Sequence, residues 1–472
     1  MFFEIKKKMK NDSLFEKIEN CGEEIDLSYR RFNEEEMKLI SNSLIKNKRV
    51  KRIKFRSNNL DEMGCLHLSR LIKEKSTLKC LDLSMNEMSE IALNYLIDSL
   101  KIHPEISDLD LSSNKMGTKS LQLIADLLLE NNSLKKLNLS RNNISEEGAL
   151  IISKALEKNE NLMGLDISNN SFNESQMMHF ANLLEHNKTL TEIDLSLNNI
   201  NDISLNHLSI SLANNSTIRI LNLNSNNFTI ESCKVFSEAL KNNKSIKELY
   251  LCNNFLTSGM HSISQAIKTN FSLTKIDFSQ NGFSDEDLID LSHALETNNT
   301  ITDLNLAVNK MSEVAAYPFS EMLSKNNLIL RLDLKRNLLK NDGAKILSES
   351  LAINNTLTHL DLSRNNISEN GFFCLIESMK TNFTLETLIL EPPTKDIHSI
   401  LGQLQFYVEC NQKWNPISHP QLNIFFRNCV LHFLLSIKFI KIKIPKFIIF
   451  EIVSWIDRRS FIAYILKQKK YF

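Results

Sequence analysis

An asparagine recurs at twelve positions along the chain: Asn58, Asn86, Asn114, Asn142, Asn170, Asn198, Asn226, Asn254, Asn281, Asn309, Asn337 and Asn365. Every interval is 28 residues except the one of 27 between Asn254 and Asn281. Each asparagine closes the same phrase, as in Leu78-x-x-Leu81-x-Leu83-x-x-Asn86. A fixed period of this length marks an array of short units, none of which can bury its apolar face alone. At 472 residues the chain exceeds a typical single core, and the period selects an open stack instead. Function is then sought on one long repetitive surface before any pocket.

One period reads as strand, turn and helix. Leu81, Asp82 and Leu83 alternate apolar and polar, the mark of a short strand with one buried face. The asparagine follows where the chain turns out of the sheet, and a buried amide there satisfies backbone groups of the neighbouring turn. Two residues after it an apolar side chain is expected to fill the core in every unit, from Leu60 to Ile367. Gly64, Gly148, Gly343 and Gly371 recur six residues after the asparagine, where close packing is expected. Leu150, Ile151, Ala155 and Leu156 carry helical apolar spacing. A second series, Asn131, Asn159, Asn187, Asn215, Asn243, Asn298, Asn326, Asn354 and Asn382, is expected to cap helix C-termini in the left-handed conformation.

These residues resemble leucine-rich repeats of the 28-residue class found in ribonuclease inhibitor, and are similar to the repeat regions of NOD-like receptors and of the Ran GTPase-activating protein. The resemblance implies an α/β fold: a right-handed leucine-rich-repeat solenoid, or horseshoe, with parallel strands on the concave face, helices on the convex face and a helical C-terminal segment. About fourteen strands are expected, the outermost centred on Ile25–Leu27 and Leu388–Leu390, where Arg30 and Pro393 replace the asparagine.

The array is expected over residues 21–392, with residues 1–20 as an N-terminal cap or frayed start, since an open sheet edge would template association. Residues 393–472 are different material. Four of the seven prolines and both tryptophans lie there, with a fifth proline, Pro392, just before it. From Lys413 onward eleven basic residues face Glu451 and Asp457, so this tail carries about +9 and the rest of the neutral chain about −9. Its longest uncharged run, Asn428–Ile437, is too short for a membrane span. Three readings stand: a helical cap over the last repeat, a basic amphipathic element on an anionic membrane surface, or an adaptor. The last rests on Ile444–Val453, which resembles the Pro-led first helix of F-box and SOCS-box modules that recruit ubiquitin-ligase scaffolds.

Chemistry is sparse. Ten glycines form no phosphate loop, and no HExxH or GxSxG occurs. Eight cysteines without a CxxC pair read as thiols of a reducing compartment. Histidines such as His67, His103, His179, His186 and His261 read as solvated helix or turn residues. No catalytic residue, metal site or cofactor is expected, and the chain reads as a cytoplasmic non-enzyme.

The informative residues lie on the outward strand face. Its central position holds Asp82, Asp110, Asp166, Asp194 and Asp277, with Asn222 among them, and predicts an acidic surface that attracts a basic protein. Tyr250 breaks that rule, and with Ile220 and Cys252 nearby it marks an apolar contact candidate. Arg52, Lys54 and Arg56 form a basic patch near the array's start, without the interleaved aromatics that nucleic acid would need. The composite reading is a scaffold that binds a protein partner through the concave face. Its alternatives are a substrate receptor for ubiquitin ligation and, through the Ran-activator resemblance, a small-GTPase activator.

Overall fold

The computed structural model describes residues 14–391 together with residues 402, 404, 405, 407 and 408. Most of the N-terminal cap region, the Ile444–Val453 motif and the whole basic tail from Lys413 lie outside the described residues. The chain divides into two compact units, one up to Asn254 and one from Phe255 onward.

The first unit opens with a helical stretch, described over residues 14–20, that buries Ile18. Nine strands of three residues follow: β1 (Glu24–Asp26), β2 (Arg52–Lys54), β3 (Cys80–Asp82), β4 (Asp108–Asp110), β5 (Lys136–Asn138), β6 (Gly164–Asp166), β7 (Glu192–Asp194), β8 (Ile220–Asn222) and β9 (Glu248–Tyr250). Neighbours pair in parallel with a constant 28-residue register, Leu81 opposite Leu109 and Leu137 opposite Leu165. Only the middle residue of each strand points into the core, as the period of two requires, so its first and third residues both face outward.

A helix returns the chain after each strand. Its start is fixed by a residue three places after the repeat asparagine: the side chains of Asp61, Ser89 and Ser145 accept the N–H of Gly64, Ala92 and Gly148. Asn173 and Gln176 close a reciprocal cap. The helix Glu146–Lys158 buries Gly148, Ala149, Ile152, Ala155 and Leu156. Leu150 and Ile151, expected in that stripe, are only half-buried on its flanks. The close packing at Gly148 is real, because a Cβ there would lie 2.3 Å from Leu121 Cδ1. All twelve apolar residues two places after the asparagines are buried. Phe172, one of them, stacks on Phe180 at 5.2 Å.

The repeat asparagines form a ladder. Asn170 is typical: its Oδ1 accepts the N–H of Asn142 at 2.9 Å and of Ile144 at 3.3 Å, while its Nδ2 donates to Leu139 O at 3.1 Å and Ile167 O at 3.0 Å. One amide thus ties two successive turns together, and the residue is buried. The residue before each of the twelve asparagines is left-handed, from Ser57 (φ 53) to Arg364 (φ 58), and so is the one after it in many repeats. The tight turn needs that geometry, whichever side chain stands there.

The second asparagine series is also a ladder, which corrects the expectation of left-handed caps. Asn159 ends its helix at φ −77, ψ 128, an extended conformation, and its neighbours in the series do the same. Its Nδ2 donates to Leu128 O, 31 residues earlier, at 2.6 Å. Its Oδ1 accepts the N–H of Asn161 at 3.0 Å and Leu162 at 2.7 Å. Two repeats fill the position differently. Lys75 is buried and its Nζ donates to Asn47 O at 2.5 Å. His103, expected to be solvated, is 4% exposed. Its Nε2 lies 3.0 Å from Lys75 O, and its Nδ1 accepts the N–H of Glu105 and Ile106.

The second unit repeats the plan with β10 (Lys275–Asp277), β11 (Asp303–Asn305), β12 (Arg331–Asp333), β13 (His359–Asp361) and β14 (Thr387–Ile389), again parallel and in register. It begins in the one short interval. There the helix Met260–Thr269 has ten residues against the usual thirteen, and Gly259 before it offers no side-chain cap. The missing residue is taken from the turn and the helix, so the strands keep their length.

Candidate partner-binding face

In the first unit the outward strand residues line a groove of about 320 Å³ that runs from Glu24 on β1 to Asp194 on β7. Its walls are two rows, given by the third and the first residue of each strand.

The third-residue row is the one singled out from sequence, and each member also serves the fold. Asp82, Asp110, Asp166 and Asp194 accept, through Oδ1, the N–H of Ser84, Ser112, Ser168 and Ser196 at 2.8–2.9 Å. Asn138 and Asn222 do the same for Ser140 and Asn224 at 2.9 and 3.0 Å. In the second unit Asp277 holds Ser279 N–H at 2.9 Å. This side chain is therefore a turn lock, and aspartate or asparagine serves equally. The other oxygen remains for the surface: Asp110 Oδ2 accepts from Asn138 at 3.2 Å and Asp194 Oδ2 from Asn222 at 2.7 Å. Burial, reinforced by neighbouring aspartates, holds the carboxyls of Asp110 and Asp166 above the usual range, although the serine hydrogen bonds oppose it.

The first-residue row, of which only Arg52 and Ile220 were singled out in the sequence, is irregular: Glu24, Arg52, Cys80, Asp108, Lys136, Gly164, Glu192, Ile220 and Glu248. No turn constrains it. The Leu-x-Leu phrase draws attention to the polar residue between its leucines, whereas strict alternation would have exposed this second outward position. Gly164 leaves a gap in the row, and Lys136 fills it from the side: its Cγ lies 3.3 Å from where a glycine Cβ would be. The Lys136 ammonium then reaches Glu192 at 2.9 Å, two strands away.

The basic patch is less free than its sequence suggested. Lys54 pairs with Glu24 at 2.5 Å, a hydrogen bond that raises its pKa, and Lys51 pairs with Glu23. The Arg56 guanidinium stands 6.0 Å from the Tyr29 ring and 3.1 Å from Met85 Sδ. Arg52 is exposed on β2 beside Cys80.

At the far end of the unit, Tyr250 is half-buried and its hydroxyl donates to Glu248 at 2.5 Å. Its register partner is Asn222, while Ile220 sits opposite Glu248. Cys252 lies two residues past the strand, with its backbone N–H on Asn224 Oδ1 at 2.6 Å. Glu248 thus stands opposite Ile220 in the register and holds the Tyr250 hydroxyl. Among the described residues no group of three or more His, Cys, Asp or Glu is placed to hold a metal ion, and no helix is long and apolar enough to cross a membrane.

Several solved structures are similar to this chain. The Leiomodin-1 actin-binding site 2 structure matches at 21% identity over 32% of this chain and 89% of that one, with a TM-score of 0.29. The structure of the Rad7 and Elc1 complex in yeast matches at 18% identity over 81% and 84%, with a TM-score of 0.43. The TLR13–ssRNA13 complex matches at 17% identity over 81% of this chain and 55% of that one, with a TM-score of 0.47. No curated protein matches the sequence. The family model described as Leucine Rich repeat matches residues 130–153, 186–211, 214–237, 269–292 and 354–375. Each stretch runs from a helix end across the strand and the ladder asparagine into the next helix, so leucine-rich repeats of this kind occupy at least five of the coils among the described residues.

Proposed function

We propose that this chain is a non-enzymatic, cytosolic scaffold whose strand face grips a protein partner. The observation that carries the reading is the groove of the first unit, where side chains of seven successive strands face outward with no role in the core. Many shallow contacts along such a surface sum to a specific interface. A reducing compartment is supported by Cys21, Cys65, Cys80, Cys233 and Cys374, which form no disulfide. Burial of ladder asparagines such as Asn131, Asn187 and Asn215 also argues that these Asn-x-Ser/Thr triplets act in the fold and carry no glycans. In this reading residues 21–392 form the recognition array and the two ends close it, with Ile220, Asn222, Tyr250 and Cys252 as a second contact region.

The test is capture of partners by the full-length chain, its Gly164→Trp variant, a Tyr250→Asp/Ile220→Asp variant and a helix-side control, Ile210→Arg. Ile210 is 60% exposed, so the control should fold normally. Partner recovery is expected to fall at least tenfold for Gly164→Trp and to stay unchanged for the control. Recovery that is lost only in the control overturns the strand-face reading. Recovery of a cullin-type scaffold that disappears on Phe447→Asp, or accelerated GTP hydrolysis by a small GTPase, would move the assignment to one of the narrower readings.

A further inference from the structure

We propose that the occupant of the first-unit groove is a basic protein segment, with arginine or lysine side chains set against the carboxylates of β3, β4, β6 and β7. This rests on the strand-face reading and adds the chemistry of the partner.

The argument is one of charge left over after the groove's own pairs are made. Lys54 is engaged by Glu24 and Lys136 by Glu192. What remains along the groove is Asp82, Asp108, Asp110, Asp166 and Asp194 against Arg52, which acts on Asp108, and Arg56, which acts on Asp110 from beside the groove. Strands stand roughly 4.8 Å apart, well inside the ~8 Å screening length of physiological salt, so these charges act together. They are also partly desolvated. The turn locks fix Asp110 and Asp166 where burial and like charge both disfavour ionisation, and a cation placed between them relieves both costs. A neutral or acidic segment would leave that repulsion in place or add to it.

Gly164 sets where the segment comes closest. With no side chain on the first position of β6, the strand there is covered by the methylene stem of Lys136, with the Glu192 carboxylate beside it, 3.6 Å from where a Cβ would be. A larger residue at 164 would displace that lysine and raise the floor beside Asp166.

Substitution by asparagine removes the charge without touching the fold, because Asn138 and Asn222 already lock the same turns with an amide oxygen. The probe is a fluorescein-labelled twelve-residue peptide of alternating arginine and serine. Glutamate–serine and glycine–serine peptides serve as controls, and binding to the full-length chain is read by anisotropy. Only the arginine peptide is expected to bind, and more weakly as salt rises from 50 to 200 mM. Binding should weaken at least tenfold in Asp110→Asn/Asp166→Asn/Asp194→Asn and in Gly164→Arg. It should hold in Glu146→Gln/Glu147→Gln/Glu157→Gln, whose residues are exposed on one helix.

Failure of the arginine peptide to bind, or binding indifferent to the triple asparagine variant, overturns the proposal. Binding of the glycine–serine or glutamate peptide that is lost in Gly164→Arg also overturns it, yet leaves the strand-face reading standing. Arginine-peptide binding lost only in the helix-side variant removes both.

Discussion

Each coil of this protein is closed by two asparagines, one where the strand ends and one where the helix ends, and they do different work. The strand-side amide lies in a turn whose flanking residue is left-handed in every repeat, and at Asn170 its five bonds reach two successive coils. Every described repeat from Asn58 to Asn365 keeps the residue. The helix-side amide, as at Asn159, sits in extended backbone with one bond to the previous coil, or two as at Asn131, and two to its own. Two repeats replace it, with Lys75 and His103. A donor reaching backward is what that position requires, and several side chains supply one. The strand-side turn needs a donor and an acceptor on one rigid planar group, which leaves asparagine almost alone.

That contrast can be broken by substitution. Asn170→Ala should be the most damaging change, because it orphans buried N–H and C=O groups on two turns at about 1–3 kcal/mol each. A loss of about 4 kcal/mol or more, read from the urea midpoint of the full-length chain, is expected. Asn159→Ala should cost less, about 2 kcal/mol, and the same titration compares the two directly. Equal losses would erase the distinction.

His103 sharpens the comparison through pH. Burial lowers its pKa below the ordinary histidine value, against the opposing hydrogen bond to the Lys75 carbonyl. Glu105 is the charged group that opposes the shift, weakly. The unfolded chain therefore takes up the proton first. Stability is complete above the unfolded value near pH 6.5 and falls as pH drops below it. His103→Asn should flatten that part of the profile, measured as the difference in urea midpoint between pH 7.5 and 5.5. An unchanged profile would show that the imidazole has no part in it.

The smallest effect concerns the left-handed turn. Val308 holds φ 58, a poor conformation for a β-branched residue. Val308→Gly should raise stability by about 1 kcal/mol, visible as a higher Tm by calorimetry.

How much of this was legible depends on whether a position or a side chain carried the signal. The period, the strand count, the buried residues two places after the asparagine and the strand-side ladder all follow from spacing. The helix-side asparagines kept the same spacing, yet their role turned on where an amide reached 31 residues back, and an asparagine at a helix end ordinarily suggests a left-handed cap. Lys75 and His103 were missed because the residue type changed while the place in the period did not. On the outer face, the aspartate row was visible but its Oδ1 atoms were already committed to turns. The first-residue row, with its gap at Gly164, has no consensus to draw the eye. The two units differ in the same sense: one residue fewer between Asn254 and Asn281 marked a departure at the start of the second, though not that it would fall on the turn and the helix and spare the strand.

The central claim is that the strand face of the first unit recognises the partner while the helices only support it. Carboxyl footprinting of the full-length chain, with and without its captured partner, tests this most directly. Labelling at Asp82, Asp108, Asp110, Asp166 and Asp194 should drop on binding, with Glu146, Glu147 and Glu157 unchanged. Protection confined to those helix-side glutamates, with the strand-face aspartates labelled as before, would contradict it.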